Sequence, residues 1–218
     1  MNETSPDLKA QILEKVHRAS GQRVWTPRDF LDLGERYAVD KALQRMAING
    51  ELRRIARGLY DNPTFNALTQ KDNPPNPRQV IEAVARREQI RVLVDGLTAA
   101  NDLGLTNAVP AKIIVHTDTR LKSIVFGKLE IIFKLTAASK LYWAGRPAMR
   151  IVQALHWLRD TMGQQEDDQL LINRLDHILN QTKEGRTIKA DLKKDLTALP
   201  TWMQKMLRPL IMSKDSTS

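Results

Sequence analysis

The stretch VDKALQRMAINGELRRIARGLYD, residues 39–61, decides the fold of the N-terminal part of the chain. Val39, Leu43 and Met46 follow one another at three- and four-residue steps, which predicts an amphipathic helix that buries one face. The pair NG at residues 49–50 ends this helix, because glycine adopts the left-handed conformation that many helix C-termini need. The runs ELRRIA and LYD, joined by RG, then predict a short β-hairpin.

Two shorter helical patterns precede this stretch. Apolar residues at helical spacing predict a first helix over residues 6–19. Thr26 before Pro27 predicts the start of a second helix of about two turns, because the hydroxyl can cap it and proline needs no amide hydrogen there. In that helix Phe30, Leu31 and Leu33 are expected to face inward. A third helix over residues 37–49 and the hairpin then complete the element order of a winged helix-turn-helix domain.

The rest of the sequence predicts a second, mixed domain. Residues 64–76 are rich in Asn and Pro and predict a linker. Pro77 opens a helix, four short β-rich runs surround a small helix, and helical patterns return between residues 146 and 211. We therefore expect an α+β protein with a winged helix-turn-helix over residues 1–63 and, over residues 77–218, a small mixed α/β domain with a helical C-terminal extension.

The composition favours a polyanionic partner without identifying it. The chain has 218 residues and a net charge of +9, which suits nucleic acid. The surplus is spread out, at +2 for residues 1–75, +4 for residues 76–145 and +3 for residues 146–218. The chain has no cysteine, no secretion signal at its start and no apolar run of membrane-spanning length. We expect a cytoplasmic protein with no membrane partner.

The third helix of this pattern carries a polar outward face. A step of about 100° per residue places Tyr37, Lys41, Gln44 and Ile48 on that side. Phenol, ammonium and amide groups can hydrogen-bond base edges in the major groove, and hairpin arginines can reach phosphate or the minor groove. The alternative is that these cations are solvated and that the helix only packs. The candidate base contacts are Tyr37, Lys41 and Gln44, and the candidate phosphate or minor-groove contacts are Thr26, Arg28, Arg36, Arg45, Arg53, Arg54 and Arg57.

The sequence offers no catalytic constellation, and we expect no enzyme activity, metal or cofactor. The four histidines are isolated from one another, and Gly96 and Gly104 bracket a short helix without the lysine of a phosphate loop. Thr98 has no recognisable base, so helix capping explains it better than nucleophilic catalysis. The acidic run EDD at residues 166–168 is interpreted as a helix cap.

Four aromatic residues punctuate the C-terminal half of the chain. They could form a stacking platform for single-stranded nucleic acid. Packing in a core or an interface is the more frequent role of widely spaced aromatics, and it is the one we expect. These residues are Tyr142, Trp143, Trp157 and Trp202.

Two stretches resemble a known family. The run RYAVDKALQRMAINGELRRIARGLYDNP, residues 36–63, is similar to the N-terminal winged helix of the AbiEi-type antitoxins, with its R-x-A-V-D-x-A-L helix, L-R-R-I strand and R-G-x-Y turn. The run VDGLTAANDLGLTNAVPAKIIVHTDT, residues 94–119, resembles the start of that family's second domain. The similarity reaches from the first helix to about Phe133 and does not extend to the C-terminal helices.

The resemblance implies an antitoxin that represses its own operon by binding inverted repeats in double-stranded DNA. It also implies a partner toxin of nucleotidyltransferase type, neutralised through the second domain, in a class that acts in phage defence without a stable antitoxin and toxin complex. Symmetric binding to an inverted repeat needs two protomers on the DNA, whether or not they form a homodimer in solution. Two other functions stay open: a winged helix that binds protein, and a transcriptional regulator whose second domain senses a small ligand.

Overall fold

A computed structural model of the chain describes residues 7–19, 23–162 and 169–212. These residues contain eight α-helices and nine β-strands, so the α+β class is confirmed. The chain divides into two compact units, Met1–Ile90 with Ile124–Glu130 and Arg91–Ser123 with Ile131–Ser218. None of the helices in the described ranges is long and apolar enough to cross a membrane.

The first unit begins with elements close to the predicted ones. In chain order they are α1 (Leu8–Arg18), β1 (Val24–Trp25), a 3-10 helix (Pro27–Phe30), α2 (Arg36–Ile48), β2 (Arg53–Ala56) and β3 (Leu59–Asp61). The three strands form an antiparallel sheet in the order β1-β3-β2. Gly50, directly after α2, has a φ of +75°, as a left-handed helix stop requires.

The second predicted helix is shorter and tighter than expected. Thr26 starts it as predicted, since its backbone N–H and its hydroxyl both donate to the Asp29 carboxylate, at 2.7 and 2.9 Å. The helix is of the 3-10 type and ends at Phe30, and a turn in which the Leu33 N–H donates to the Phe30 carbonyl at 3.0 Å follows it. Phe30 is fully buried, whereas Leu31 is 45% exposed. The expectation that Leu31 faces inward was therefore wrong.

One apolar core joins α1, α2 and the sheet. Side chains from each element meet there, and full burial of one such side chain stabilises a fold by about 1.5–3 kcal/mol. The core therefore holds α2 against the sheet and fixes which face of α2 points outward. Its buried members are Ile12, Val16, Trp25, Phe30, Val39, Leu43, Met46, Leu52 and Tyr60.

The helix after the predicted linker, α3 (Pro77–Glu88), packs on β1 and β3. Its Arg86 guanidinium donates to the Val24 carbonyl at 2.9 Å, and its Arg87 guanidinium donates to the Arg57 carbonyl at 2.8 Å. Because β3 is the central strand and α3 covers one face of the sheet, all three β3 residues are buried. The first compact unit thus continues past residue 63, where the sequence placed the end of the N-terminal domain.

The predicted linker contains a small hairpin of two strands, β4 (Phe65–Asn66) and β5 (Lys71–Asp72). The Asn66 side-chain oxygen accepts from the backbone N–H groups of Leu68 and Thr69 and so builds the turn. The Asn73 side-chain amide donates to the Thr64 hydroxyl at 2.9 Å.

The later elements follow the predicted sequence of β-runs and helices. They are β6 (Val92–Val94), α4 (Gly96–Asp102), β7 (Lys112–Thr117), β8 (Ile124–Phe126), β9 (Leu129–Leu135), α5 (Met149–Met162), α6 (Gln169–Gln181), α7 (Gly185–Lys194) and α8 (Thr201–Met212), with short 3-10 helices at Ala138–Leu141 and Leu196–Ala198. The four strands form one sheet in the order β6-β7-β9-β8.

The helices of the second unit pack closely on one another. α4 lies so near α5 that a Cβ atom on Gly96 would collide with the Trp157 Cβ and would lie 2.7 Å from the Gln153 carbonyl oxygen. This approach explains Gly96 as a packing glycine. α6, α7 and α8 pack on one another.

Candidate nucleic-acid interface

The outward face of α2 is exposed as the helical spacing predicts. Tyr37 is 74% exposed and Ile48 is 76% exposed. Lys41 and Gln44 lie between them and are also exposed. The Lys41 ammonium stands over the Tyr37 ring, 5.6 Å from its centroid, which holds the two side chains together at one end of the face.

A short turn over residues 49–52 joins α2 to the hairpin β2–β3. The N–H of Glu51 donates to the Met46 carbonyl at 2.9 Å, so the chain turns directly from the helix into the sheet. Burial raises the pKa of the Tyr60 hydroxyl, and the nearby charges of Arg54 and Asp40 act on it with opposite sign. Tyr60 therefore lies near both α2 and the exposed side of β2.

The hairpin contains an irregularity that decides which of its arginines lies opposite Asp61. Ala56 pairs with Leu59, but Arg54 pairs with Tyr60 and Arg53 with Asp61, so Ile55 is an extra residue, a β-bulge. As neighbours in the strand, Arg53 and Arg54 face opposite sides of the sheet, and the bulge places Arg53 opposite Asp61. Arg54 is exposed, and so is Arg57 in the turn.

Arg53 is engaged inside the unit. Its guanidinium binds the buried Asp61 carboxylate through two hydrogen bonds of 2.9 and 2.6 Å. A third bond of 2.8 Å goes to the Asn73 carbonyl. Arg53 therefore joins β2, β3 and the end of the β4–β5 hairpin, and its donors face protein groups.

Ion pairing neutralises most cations of this unit. Asp40 is paired with Arg36 at 2.9 Å, and Asp32 with Lys15 at 2.7 Å. The hydrogen bond from Lys15 lowers the pKa of the Asp32 carboxyl. Within residues 7–19 and 23–90, the cations with no carboxylate within 4.0 Å are Arg28, Lys41, Arg45, Arg54, Arg57 and Lys71.

Four of these unpaired cations belong to one region of α2 and the hairpin. Together with the exposed uncharged residues of α2, they present donors, an amide and apolar groups, and the one carboxylate within α2, that of Asp40, is already paired with Arg36. We call this region the α2–hairpin surface. Its residues are Tyr37, Lys41, Gln44, Arg45, Ile48, Arg54 and Arg57.

Four of the predicted contact residues do not lie free on this surface. Thr26 is 1% exposed, and its hydroxyl is used by Asp29. Arg28 is exposed, but its guanidinium donates to the Arg87 carbonyl at 2.9 Å. Arg36 is paired with Asp40 and Arg53 with Asp61. Ile48, which the helical spacing placed on the outward side but which was not among the candidate contacts, belongs to the surface and is 76% exposed.

Thr98, weighed above as a nucleophile, has a structural role. The Thr98 hydroxyl donates to the Asp95 carboxylate at 2.7 Å, and the same carboxylate accepts the Thr98 and Ile114 backbone N–H groups, so Asp95 caps α4. The part of the chain that the structure describes has no group of three acidic or histidine side chains arranged for a metal ion. The acidic run at residues 166–168 lies outside the described residues.

The aromatic residues of the C-terminal half are engaged in contacts within their unit. Trp143 is buried, and the Arg146 guanidinium stacks on it at 4.1 Å and lies 5.0 Å from the Tyr142 ring centroid. Arg159 stacks on Trp202 at 4.5 Å. Trp157 is half-buried beside Gly96. These contacts favour packing over a shared platform for bases.

Comparisons with known proteins give a family but no activity. Residues 11–187 match a protein family described as "Family of unknown function (DUF6088)". The match covers most of the chain and includes parts of both compact units. No curated protein and no solved structure is similar to the chain.

Proposed function

The chain belongs to this family of unknown function, DUF6088, and we propose that its first unit is a winged helix-turn-helix domain that binds duplex DNA. The element order supports this function: α1, β1, a short helix, α2 and a hairpin, with β1 added to the sheet beside β3. In such a domain the helix before the hairpin enters the major groove. Here that helix is α2, and the hairpin is the wing.

The observation that carries the proposal is the unneutralised charge of the α2–hairpin surface. Lys41, Arg45, Arg54 and Arg57 lack a carboxylate within ion-pair distance among the described residues of the unit, although other cations there have one. Unpaired cations attract phosphates and release the counterions of DNA, which is the main source of non-specific affinity. A surface made only for solubility would more often mix both signs.

The chemistry between these cations suits sequence reading. Lys41 can donate to the O6 and N7 atoms of guanine, and the Gln44 amide can pair with the N6 and N7 atoms of adenine. Arg54 and Arg57 then contact phosphate or the minor groove. The surface thus combines base readers on a helix with phosphate contacts on the wing.

We further propose that the protein is a self-repressing antitoxin that neutralises a toxin of nucleotidyltransferase type. Support comes from the resemblance of residues 36–63 and 94–119 to AbiEi-type antitoxins. The first of these stretches contains α2 and the hairpin, and the second contains α4 and β7. On this proposal two protomers bind an inverted repeat in the cytoplasm, and neutralisation is a function of the second unit.

Charge reversal of the wing tests DNA binding. We expect Arg54→Glu combined with Arg57→Glu to abolish the gel shift of the upstream region of the gene. The matched control is Arg18→Glu with Arg78→Glu, which makes the same charge change at an exposed arginine of α1 and a half-buried arginine of α3, each of which pairs with a glutamate. Wild-type affinity should also fall steeply between about 50 and 200 mM salt. Equal shifts for wild type and wing variant would overturn the proposed reading surface.

Co-expression with the product of the adjacent gene tests the antitoxin role. We expect the intact protein to rescue growth, and the wing variant to rescue as well, because neutralisation is assigned to the second unit. Loss of growth with the intact protein would contradict the antitoxin function and leave DNA binding standing. A wing variant that binds DNA normally but fails to rescue would instead indicate a winged helix that binds protein.

A further inference from the structure

α7 presents its exposed cations on one side. At about 100° per residue, Arg186, Lys193 and Lys194 share one side, with the small residues Thr187 and Ala190 between them. All five are exposed. The acidic residue Asp191 lies about 140° round the helix from Arg186 and about 60° from Lys194, and Asp195 follows the end of the helix.

The acids of α7 are used inside the unit. The Arg146 guanidinium donates to Asp191 at 2.7 Å and to Asp195 at 2.6 Å. The second Asp191 oxygen accepts the Ala148 N–H at 3.0 Å. Burial alone would lower the pKa of Arg146, but the hydrogen bonds to both carboxylates raise it above its usual range, so the cluster keeps its charges. We call Arg146, Asp191, Asp195 and the stacked Trp143 the Arg146 cluster.

The cations of α7 are left outward as a consequence. Lys189 is the exception, since it is buried and its ammonium donates to the Asn180 side chain at 2.9 Å. Arg186, Lys193 and Lys194 have no carboxylate within ion-pair distance among the residues that the structure describes. The Arg146 cluster also fastens α7 at one end, so these cations are presented on a fixed helix.

Their spacing suits a row of phosphates. Arg186 and Lys193 are seven residues apart, which is about 10 Å along a helix. Phosphates of one DNA strand follow one another at about 3.4 Å along the duplex axis, so this length spans about three of them. The small side chains between the cations let a phosphate backbone approach, and the Thr187 hydroxyl is a further phosphate donor.

We propose that the outward face of α7 is a second contact for the phosphate backbone of duplex DNA, outside the α2–hairpin surface. The inference rests on the proposed DNA binding of the first unit, because it takes the bound polyanion to be DNA. It gives a function to a helix that lies beyond the stretches resembling AbiEi-type antitoxins. The face contacts phosphates only and therefore adds affinity without sequence preference.

Matched charge reversals in the full-length protein test this contact. The test variant is Arg186→Glu with Lys193→Glu, and the control is Lys205→Glu with Arg208→Glu, an equal charge change at exposed positions of α8 in the same unit. Binding to a long duplex of mixed sequence is measured across salt concentrations. We expect the test variant to reduce the slope of log K against log salt by about 2, at about 0.9 per lost phosphate contact. The control should keep the wild-type slope.

The outcomes separate this inference from the function on which it rests. Equal slopes for test, control and wild type would overturn the α7 contact, and so would equal losses in test and control, which would indicate net charge alone. Wild-type DNA binding that depends on Arg54 and Arg57 but not on α7 would leave only the first surface. Unchanged DNA binding with lost toxin neutralisation would show that α7 binds an acidic protein instead. If the glutamate variant does not fold, Arg186→Gln with Lys193→Gln, compared with Lys205→Gln with Arg208→Gln, makes the same test.

Discussion

The α2–hairpin surface of the first unit and the Arg146 cluster of the second hold the same kind of cation in opposite surroundings. Arg54 is exposed and meets no carboxylate among the described residues of its unit, whereas Arg146 meets Asp191 and Asp195 and stacks on Trp143. A guanidinium with satisfied donors stabilises the fold but has little left to offer a ligand. A guanidinium without partners adds nothing to the fold and keeps its donors for phosphate.

The largest effect should come from breaking the Arg146 cluster. Arg146→Ala leaves two carboxylates beside each other without their common partner, and we expect a loss of about 3 kcal/mol in the free energy of unfolding. Urea unfolding of the full-length protein measures it. Arg146→Lys keeps the charge but cannot bind both carboxylates in the same planar geometry, so its loss should be intermediate.

Arg159 provides the control for that prediction. Its guanidinium stacks on Trp202 at 4.5 Å and has no carboxylate partner among the described residues. Arg159→Ala should cost only about 0.5–1 kcal/mol, the typical contribution of a cation-π contact that is not fully desolvated. Equal losses for Arg146→Ala and Arg159→Ala would show that the carboxylates contribute nothing beyond stacking.

The next largest effect compares two neighbouring arginines of the hairpin. Arg53→Ala removes three hydrogen bonds and leaves the buried Asp61 unpaired, so we expect a loss of about 2 kcal/mol in the free energy of unfolding. Arg54→Ala should change that free energy by less than about 0.5 kcal/mol. It should instead reduce the salt slope of DNA binding by about 1. The contrast fails if Arg53→Ala, assayed while folded, lowers the slope as much as Arg54→Ala.

The sequence predicts α2 but not the bulge at Ile55, and therefore not which hairpin arginine pairs with Asp61. The helical spacing of Val39, Leu43 and Met46 and the glycine stop predict α2 to within about one residue at each end, because both depend on local chemistry. A regular hairpin closed at Ala56 and Leu59 would have placed Arg54, not Arg53, opposite Asp61. The extra residue reverses that assignment, and no local propensity reveals it.

The placement of α3 has a similar explanation. The Asn and Pro residues around 64–76 indicate an irregular segment between two regular ones, but they do not indicate which unit the following helix joins. Hydrogen bonds from Arg86 and Arg87 to carbonyls of β1 and the hairpin turn decide it, and they join residues far apart in sequence. The sequence predicts a helical pattern in the region of α7, but not the role of its charges. The carboxylates of Asp191 and Asp195 form ion pairs inside the unit because Arg146, about 45 residues before Asp191, lies beside them.

Acidification should lower the free energy of unfolding of the second unit, whereas the arginines of the α2–hairpin surface keep their charge. Burial lowers the pKa of the His116 imidazole, Lys134 lowers it further, and Asp95 opposes them. As the pH falls through about 6.5, the ordinary histidine pKa, the unfolded chain takes up a proton that folded His116 resists. The free energy of unfolding should therefore fall. His116→Gln should lose less between about pH 7 and 5, as measured by urea midpoints. An equal loss would assign the change to other groups.

The smallest effect should come from the apolar end of the α2–hairpin surface. Ile48 is 76% exposed on the same side of α2 as Gln44, and the C5-methyl of thymine is the aliphatic group that a major groove offers. Burial of one such methyl is worth about 0.8 kcal/mol, or about fourfold in affinity.

Replacing individual thymines of a bound operator with deoxyuridine removes that methyl alone. We expect one replacement to weaken wild-type binding about fourfold and to leave Ile48→Ala unaffected. Leu68→Ala, a change at an exposed apolar residue of the β4–β5 turn, should respond like wild type. If no thymine distinguishes wild type from Ile48→Ala, Ile48 does not read thymine, and the polar residues of the surface alone account for sequence preference.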